Sequence, residues 1–357
     1  MDFLADYGLF LAKVVTFVIA IGFVLGLIVS AGHKTRKKQE KGHIEVTRLN
    51  DRFKQMTDSL KHAALDSAEL KREAKAEKKR EKREQAERKK AHKKLEKEGK
   101  SEEDDRKKRL FVLNFHGDVK ASATDNLREE ISAVLSLASA KDEVVVKLES
   151  GGGFVHSYGL ASSQLARIRD RHIPLTVCVD KVAASGGYMM ACVGDKILAA
   201  PFAILGSIGV IAQLPNFNKL LKKNSIDYEM FTAGEYKRTV TMFGENTKRG
   251  REKFVEDLED THLLFKEFVA QHRPQVDVDK VATGEIWFGR RAREVSLVDD
   301  LKTSDEYLLS QSDKADIFEV HYEQKKSLPE KLGFATEGAV DRLLLRWWER
   351  SQNQRWF

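Results

Sequence analysis

The stretch Leu175-Thr176-Val177-Cys178-Val179-Asp180-Lys181-Val182-Ala183-Ala184-Ser185-Gly186-Gly187-Tyr188 decides how this chain folds. Leu175 to Val179 are almost wholly apolar and rich in strand formers, so they read as a strand buried on both faces. After Val179 the chain must leave the sheet, and the small residues that follow place Ser185 at or near the start of a helix. Backbone N–H groups there have no intrahelical acceptor and can receive developing negative charge. Gly186 is therefore the first candidate oxyanion donor. The same residues also read as an ordinary N-cap with glycines that allow tight packing, and the turn alone does not separate the two readings.

Working outward, strand and helix signals alternate. Leu110 to Phe115 form a short apolar strand ending at His116-Gly117, and Thr124 caps a predicted helix through Ala140 with Leu127, Ile131 and Val134 on its apolar face. Val144 to Leu148 form a second strand, broken by Gly151-Gly152-Gly153, and a helix from about His156 to Asp170 follows. This repeat predicts an α/β domain with a largely parallel, buried sheet. Catalytic groups in such sheets gather at the carboxyl ends of strands, where both glycine-rich turns fall. Gly152 and Gly153, whose missing side chains let a substrate backbone approach, are candidates for the second oxyanion donor.

A serine nucleophile needs a base, and Lys237 in Gly234-Glu235-Tyr236-Lys237-Arg238 lies 52 residues beyond Ser185. A free lysine, with a pKa of about 10.4, is a poor base at neutral pH unless burial lowers it. Met230, Phe231, Met242 and Phe243 flank the position, although a lysine is more often a solvated surface group. His116 and His156, each beside a glycine-containing turn, offer a Ser-His alternative or shape the cleft. No HExxH or paired-cysteine pattern is present, so no metal or organic cofactor is expected. Cys178 and Cys192 read as small core residues.

The chain of 357 residues has a formal charge of +7, and that charge is unevenly placed. Residues 33–109 hold 28 Lys/Arg against 17 Asp/Glu, whereas residues 110–357 hold 33 against 36. The basicity belongs to one segment, whose charges are not interleaved with aromatic residues, and no nucleic-acid partner is expected. Before it, residues 14–32 carry no charge; the run is about long enough to cross a bilayer core. Asp2 and Asp6 stand where a cleaved leader would carry basic residues, which favours an anchor at 1–32 over a signal peptide. Val46, Leu49, Phe53, Met56, Leu60, Ala63, Leu70 and Ala74 then fall, with Ser67, at heptad spacing, which predicts a helical spacer over 33–108. A C-terminal extension, 301–357, ends in Leu343 to Leu345, Trp347, Trp348, Trp356 and Phe357 interleaved with arginines. It reads as a membrane-lying or subunit-docking helix, or as one packed on its own domain.

Gly151, Ala184-Ser185-Gly186-Gly187-Tyr188, Leu205-Gly206-Ser207-Ile208-Gly209-Val210 and Glu235-Tyr236-Lys237 occur in an order that resembles the signal peptide peptidase A family of serine peptidases. The anchor and charged segment look most like its SohB branch of bacterial inner-membrane proteases. The resemblance spans about residues 109–300. It implies a ClpP/crotonase-like fold, Ser185 as nucleophile, Lys237 as general base, Ser207 orienting that lysine, and assembly into a homo-oligomeric ring acting on peptides beside membrane lipid. Ser150-Gly151-Gly152-Gly153 stands where the family commonly has Ser-Pro-Gly-Gly, so a looser oxyanion turn is expected. Ser296-Leu297-Val298-Asp299 replaces the family's Gly-Leu-Val-Asp. The basic residues after the span place the bulk of the chain in the cytoplasm, while the resemblance implies the opposite face of the inner membrane. A non-catalytic scaffold and an acyl-CoA enzyme of crotonase type remain the competing classes; the lysine favours the peptidase.

Overall fold

The computed structural model describes residues 42–76 and 106–323, with scattered positions between 11 and 17 and between 78 and 86. Ile44–Tyr322 form one compact unit, and the second unit, Met1–His43 with Glu323–Phe357, falls almost wholly outside the described residues. The expected anchor and the Trp/Arg-rich end lie there as well. No described helix is long and apolar enough to cross a membrane.

Ten strands form one sheet: β1 (His43–Arg48), β2 (Lys108–Gly117), β3 (Glu143–Ser150), β4 (Leu175–Val179), β5 (Val182–Ala184), β6 (Lys196–Ala199), β7 (Ile204–Gly206), β8 (Ile286–Phe288), β9 (Asp300–Leu301) and β10 (Ala315–Glu323). The main path runs β1-β10-β2-β3-β4-β6-β9, with β5 leaving β3 to pair with β7, and β7 pairing with β8. Every pairing from β10 to β9 is parallel, as is β3-β5-β7, while β7 and β8 run antiparallel. Among the described residues the helices that position the site and its core are α1 (Leu49–Ala64), α2 (Thr124–Leu135), α3 (Val155–Asp170), α4 (Gly186–Ala191), α5 (Asn218–Lys223), α6 (Lys248–His272), α7 (Val278–Val281), α8 (Gly289–Glu294) and α9 (Ser304–Gln311).

Side-chain alternation along the central strands fills two separate cores. Phe111, Leu113 and Phe115 of β2, Val144 and Val146 of β3, and Leu175, Val177 and Val179 of β4 pack with α2, α3, α4 and α6 on one face. Leu110, Val112, Val145 and Cys178 pack with Leu49 of α1 and Tyr307 and Leu308 of α9 on the other. A parallel sheet covered on both faces explains the uninterrupted apolar runs.

The structure corrects three expectations. The heptad stripe is not one helix: Val46 lies in β1, α1 ends before Leu65, and helix resumes at Ser67. Leu49 is buried and Phe53 packs beside it, so the start of the expected spacer belongs to the compact unit, while Met56 and Leu60 are exposed. Second, α9 and β10, placed beyond the domain from sequence, complete it, with β10 lying beside β2. Third, α2 stops at Leu135 and not at Ala140. The reason is Asp142, fully buried, which accepts the Ser139 N–H and the guanidinium groups of Arg106 and Arg109 and so draws the chain out of the helix to the start of β2. Burial alone would raise the Asp142 carboxyl, but the hydrogen bonds from Arg109 and Arg106 outweigh it and hold the group well below the usual carboxylate range.

Candidate active site

Ser185 caps α4 with φ 52° and ψ −120°, a backbone conformation that a non-glycine residue adopts only under constraint. The constraint comes from both sides. Its N–H donates to the Gly206 carbonyl at 2.7 Å, continuing the β5–β7 register in which Ala184 lies opposite Gly206, and its carbonyl accepts from Met189 in the first turn of α4. Downstream, the Tyr188 hydroxyl donates to the Leu297 carbonyl at 2.9 Å and fixes the helix against the chain before β9. The outcome is a half-buried serine on a turn whose following residues, Gly186 to Ala191, are all buried.

The glycine turn after β3 packs against this serine. Gly152 has φ +90°, and a Cβ there would sit 2.7 Å from the Gly186 nitrogen and 2.8 Å from the Ser185 Cβ, so any side chain would cover the Gly186 N–H. A Cβ on Gly153 would strike the Val119 carbonyl. Of the three predicted donors, Gly152 uses its own N–H on the Ser150 hydroxyl at 3.0 Å, while among the described residues no hydrogen bond engages the N–H of Gly153 or Gly186. Phe154 N–H donates to Val119 at 2.9 Å and holds the outer end of the turn. Ser207, at φ 49°, directly follows the Gly206 that bonds Ser185, and its own N–H donates to Glu285 at 2.7 Å. Ser185, Ser207 and the glycine turn therefore meet at the carboxyl ends of β3, β5 and β7.

Lys237 is placed differently. It lies in an exposed turn, its N–H donating to Gly234 at 3.2 Å, and among the described residues no hydrogen bond joins it to Ser185 or Ser207. The neighbouring Glu235 and Tyr236 are held by Arg249 at the start of α6, through an ion pair to Glu235 and a 3.1 Å hydrogen bond to the Tyr236 hydroxyl. The surrounding segment 210–247 exposes Ile211, Leu214, Phe217, Leu220, Phe231 and other apolar residues. It nevertheless has its own order, with the Phe217 N–H bonded to Met242 and the Phe217 and Phe243 rings stacked.

Among the described residues no hydrogen bond joins His116 or His156 to Ser185. His116 is exposed and lies 3.8 Å from Glu149, which Lys181 also pairs with, and the exposed His156 stacks on Phe154. Among the described residues no cluster of His, Cys, Asp or Glu could hold a metal ion. Cys178 and Cys192 are buried, as read from sequence, and burial pushes the Cys178 thiol up to about 12. Sequence reading quoted Ser150 only as the start of the glycine turn, without a role of its own, and passed over Tyr158, which meets it beneath that turn.

Two family models match in succession, the peptidase family S49 N-terminal region over residues 2–165 and peptidase family S49 over residues 167–317. A protein of Haemophilus influenzae described as "Probable protease SohB" is 49% identical over 346 residues, covering 97% of this chain and 96% of that one. The chain belongs to peptidase family S49. A protein of Buchnera aphidicola with the same description is 48% identical, covering 87% of this chain and all of the relative. A solved chain described as a mutant of the "1510-N membrane-bound stomatin-specific protease" aligns at 13% identity with a TM-score of 0.39 over 58% of this chain and 85% of that chain, too weak a likeness to bear on the fold. As a member of family S49 the protein is a serine peptidase.

Proposed function

We propose that this S49 peptidase is a membrane-anchored endopeptidase of ClpP/crotonase-like architecture that works through a Ser185–Lys237 dyad. The observation that carries the proposal is the backbone of Ser185, held at φ 52° between the Gly206 carbonyl and α4 so that its side chain stands at a buried, glycine-lined turn. Ser185 attacks the scissile carbonyl, Lys237 accepts its proton and returns it to the leaving amine, and water then hydrolyses the acyl-enzyme. Gly186 and Gly153 offer N–H groups to the oxyanion, while Gly152 contributes by lacking a side chain. Ser207, one residue beyond the bond that anchors Ser185, orients the lysine.

A solvated lysine is a poor base, and Lys237 is exposed in the single chain. The apolar residues around it are exposed too. The partner that would cover them and also present a serine to the lysine is a second copy of this chain, so the dyad is completed on assembly into the expected ring. The anchor at residues 1–32 and the basic segment keep the site beside the inner membrane, near peptides released from membrane proteins. Protease digestion of sealed vesicles identifies which face carries the unit. The chemistry itself is tested with a serine-directed fluorophosphonate: wild type labels on Ser185 and cleaves peptides, and Ser185→Ala does neither. Peptide turnover retained by Ser185→Ala would overturn the proposal.

A further inference from the structure

Beneath the glycine turn lies a chain of hydroxyls with a fixed direction. The Tyr158 hydroxyl donates to the Asp118 carbonyl at 2.7 Å, and a carbonyl can only accept. A phenol has one proton, and burial pushes the Tyr158 phenol up, so that proton is kept. The 2.5 Å contact between Ser150 Oγ and Tyr158 Oη must then be donated by the serine. With its own proton so placed, Ser150 Oγ accepts the Gly152 N–H at 3.0 Å. The polarity runs Gly152 N–H to Ser150 to Tyr158 to Asp118, all in a site where Ser150 is 2% exposed and Tyr158 fully buried.

The same two residues lie against three further glycines, Gly117, Gly186 and Gly187. A Cβ on Gly186 would strike the Tyr158 ring, one on Gly187 would strike the Ser150 carbonyl, and one on Gly117 would strike both hydroxyls. The pair therefore contacts both strands of the cleft: the Gly152 turn through a hydrogen bond and the Ser185-Gly186 turn through packing. Asp118 belongs to the loop whose Val119 carbonyl holds Phe154, so the chain also ties the outer end of the glycine turn to its base.

We propose that Ser150 and Tyr158 are positioning residues for acyl transfer: by taking up the Gly152 N–H they rotate the turn so that Gly153 N–H, beside Gly186 N–H, faces the acyl oxygen. This inference rests on the reading of Ser185 as nucleophile. It accounts for how a turn with Gly151 in place of proline holds one geometry. Because neither residue touches substrate, loss of the hydroxyl changes the stability of the oxyanion and leaves ground-state binding alone.

The test uses the full chain in detergent with a peptide substrate and a peptide aldehyde, whose hemiacetal carries an oxyanion. Tyr158→Phe keeps the ring on which Gly186 packs. It lowers kcat by about tenfold to a hundredfold, leaves KM unchanged, and weakens aldehyde inhibition by the same factor as kcat/KM. Ser150→Ala does the same, and the double variant is no worse than Ser150→Ala alone, because both act through one chain. Wild-type kcat in Tyr158→Phe would overturn the inference, as would a loss confined to KM or to melting temperature, or additive losses in the double variant. Should Ser150→Ala fail to fold, the kcat and aldehyde readings of Tyr158→Phe still decide. Turnover retained by Ser185→Ala refutes the underlying dyad, whereas an inactive Ser185→Ala with an unaffected Tyr158→Phe refutes this inference alone.

Discussion

The turn that carries Ser185 and the segment that carries Lys237 differ in what surrounds them. Around Ser185, glycines 152, 186 and 187 approach side chains and backbone so closely that no Cβ would fit, and the neighbouring carbonyls and hydroxyls are paired. Around Lys237 the residues from 231 to 238 are all exposed, and Phe231 presents 88% of its surface. One half of the site is built by the fold of a single chain. The other half is ordered through Arg249, Phe217 and Phe243 but uncovered, the arrangement expected where a second copy supplies the missing contacts. Preorganised donors stabilise charge without reorganising during reaction, so in the proposed mechanism the rigid half serves the oxyanion and the half left to assembly serves as proton acceptor.

The comparison can be broken most severely at the serine. Ser185→Ala is expected to lower kcat by about 10⁴-fold or more with an unchanged melt, read by peptide hydrolysis and thermal unfolding. Gly152→Ala places a Cβ on the Gly186 N–H at a φ of +90° and is expected to cost about 10²- to 10³-fold in kcat. Its KM stays near wild type if the turn is a catalytic device. In the exposed half, Phe231→Asp leaves the melt of the isolated chain within about 0.5 kcal/mol but shifts the protein to lower mass in sedimentation, with activity falling in step.

The remaining predictions alter the scaffold that carries the Ser185 turn, away from the turn itself. Asp142→Asn leaves two part-buried guanidinium groups short of their counter-charge and is expected to destabilise by about 3 kcal/mol. The folded carboxyl is held below its unfolded value, so its contribution is complete above about pH 4 and is lost as pH falls through the depressed value. Melts of wild type should therefore converge on those of Asp142→Asn under acid. Gly159→Ala, in α3 where a Cβ meets nothing within 4 Å, should raise stability by about 0.5–1 kcal/mol and leave kinetics unchanged.

The rigid half was legible in the sequence because its signals are local. The apolar runs of β2, β3 and β4, the glycines after Glu149 and the small residues around Ser185 each impose their conformation within a few residues. β4 was read to the residue, and α3 within one residue at its start. Elements whose place depends on distant pairing were misassigned. β10 joins β2 across some 200 residues, and Leu49 is buried by α9 and the sheet, contacts that no window of sequence contains. Tyr158 and its link to Ser150 were missed for a related reason: eight residues apart, one at the end of β3 and the other in α3, they meet only in the folded chain. The structure brings the serine, its glycines and Ser207 together, whereas Lys237 lies in an exposed segment with no hydrogen bond to them among the described residues.

The account turns on the claim that Ser185 and Lys237 act together across two copies. Mixing full-length Ser185→Ala with full-length Lys237→Ala, each inactive alone, and measuring peptide hydrolysis after subunit exchange tests it most directly. Recovery of about a quarter of wild-type turnover is the predicted result, since in a head-to-tail ring one of the two orders of mixed neighbours pairs an intact serine with an intact lysine. A mixture that stays at background while wild type prepared in the same way is active would contradict it.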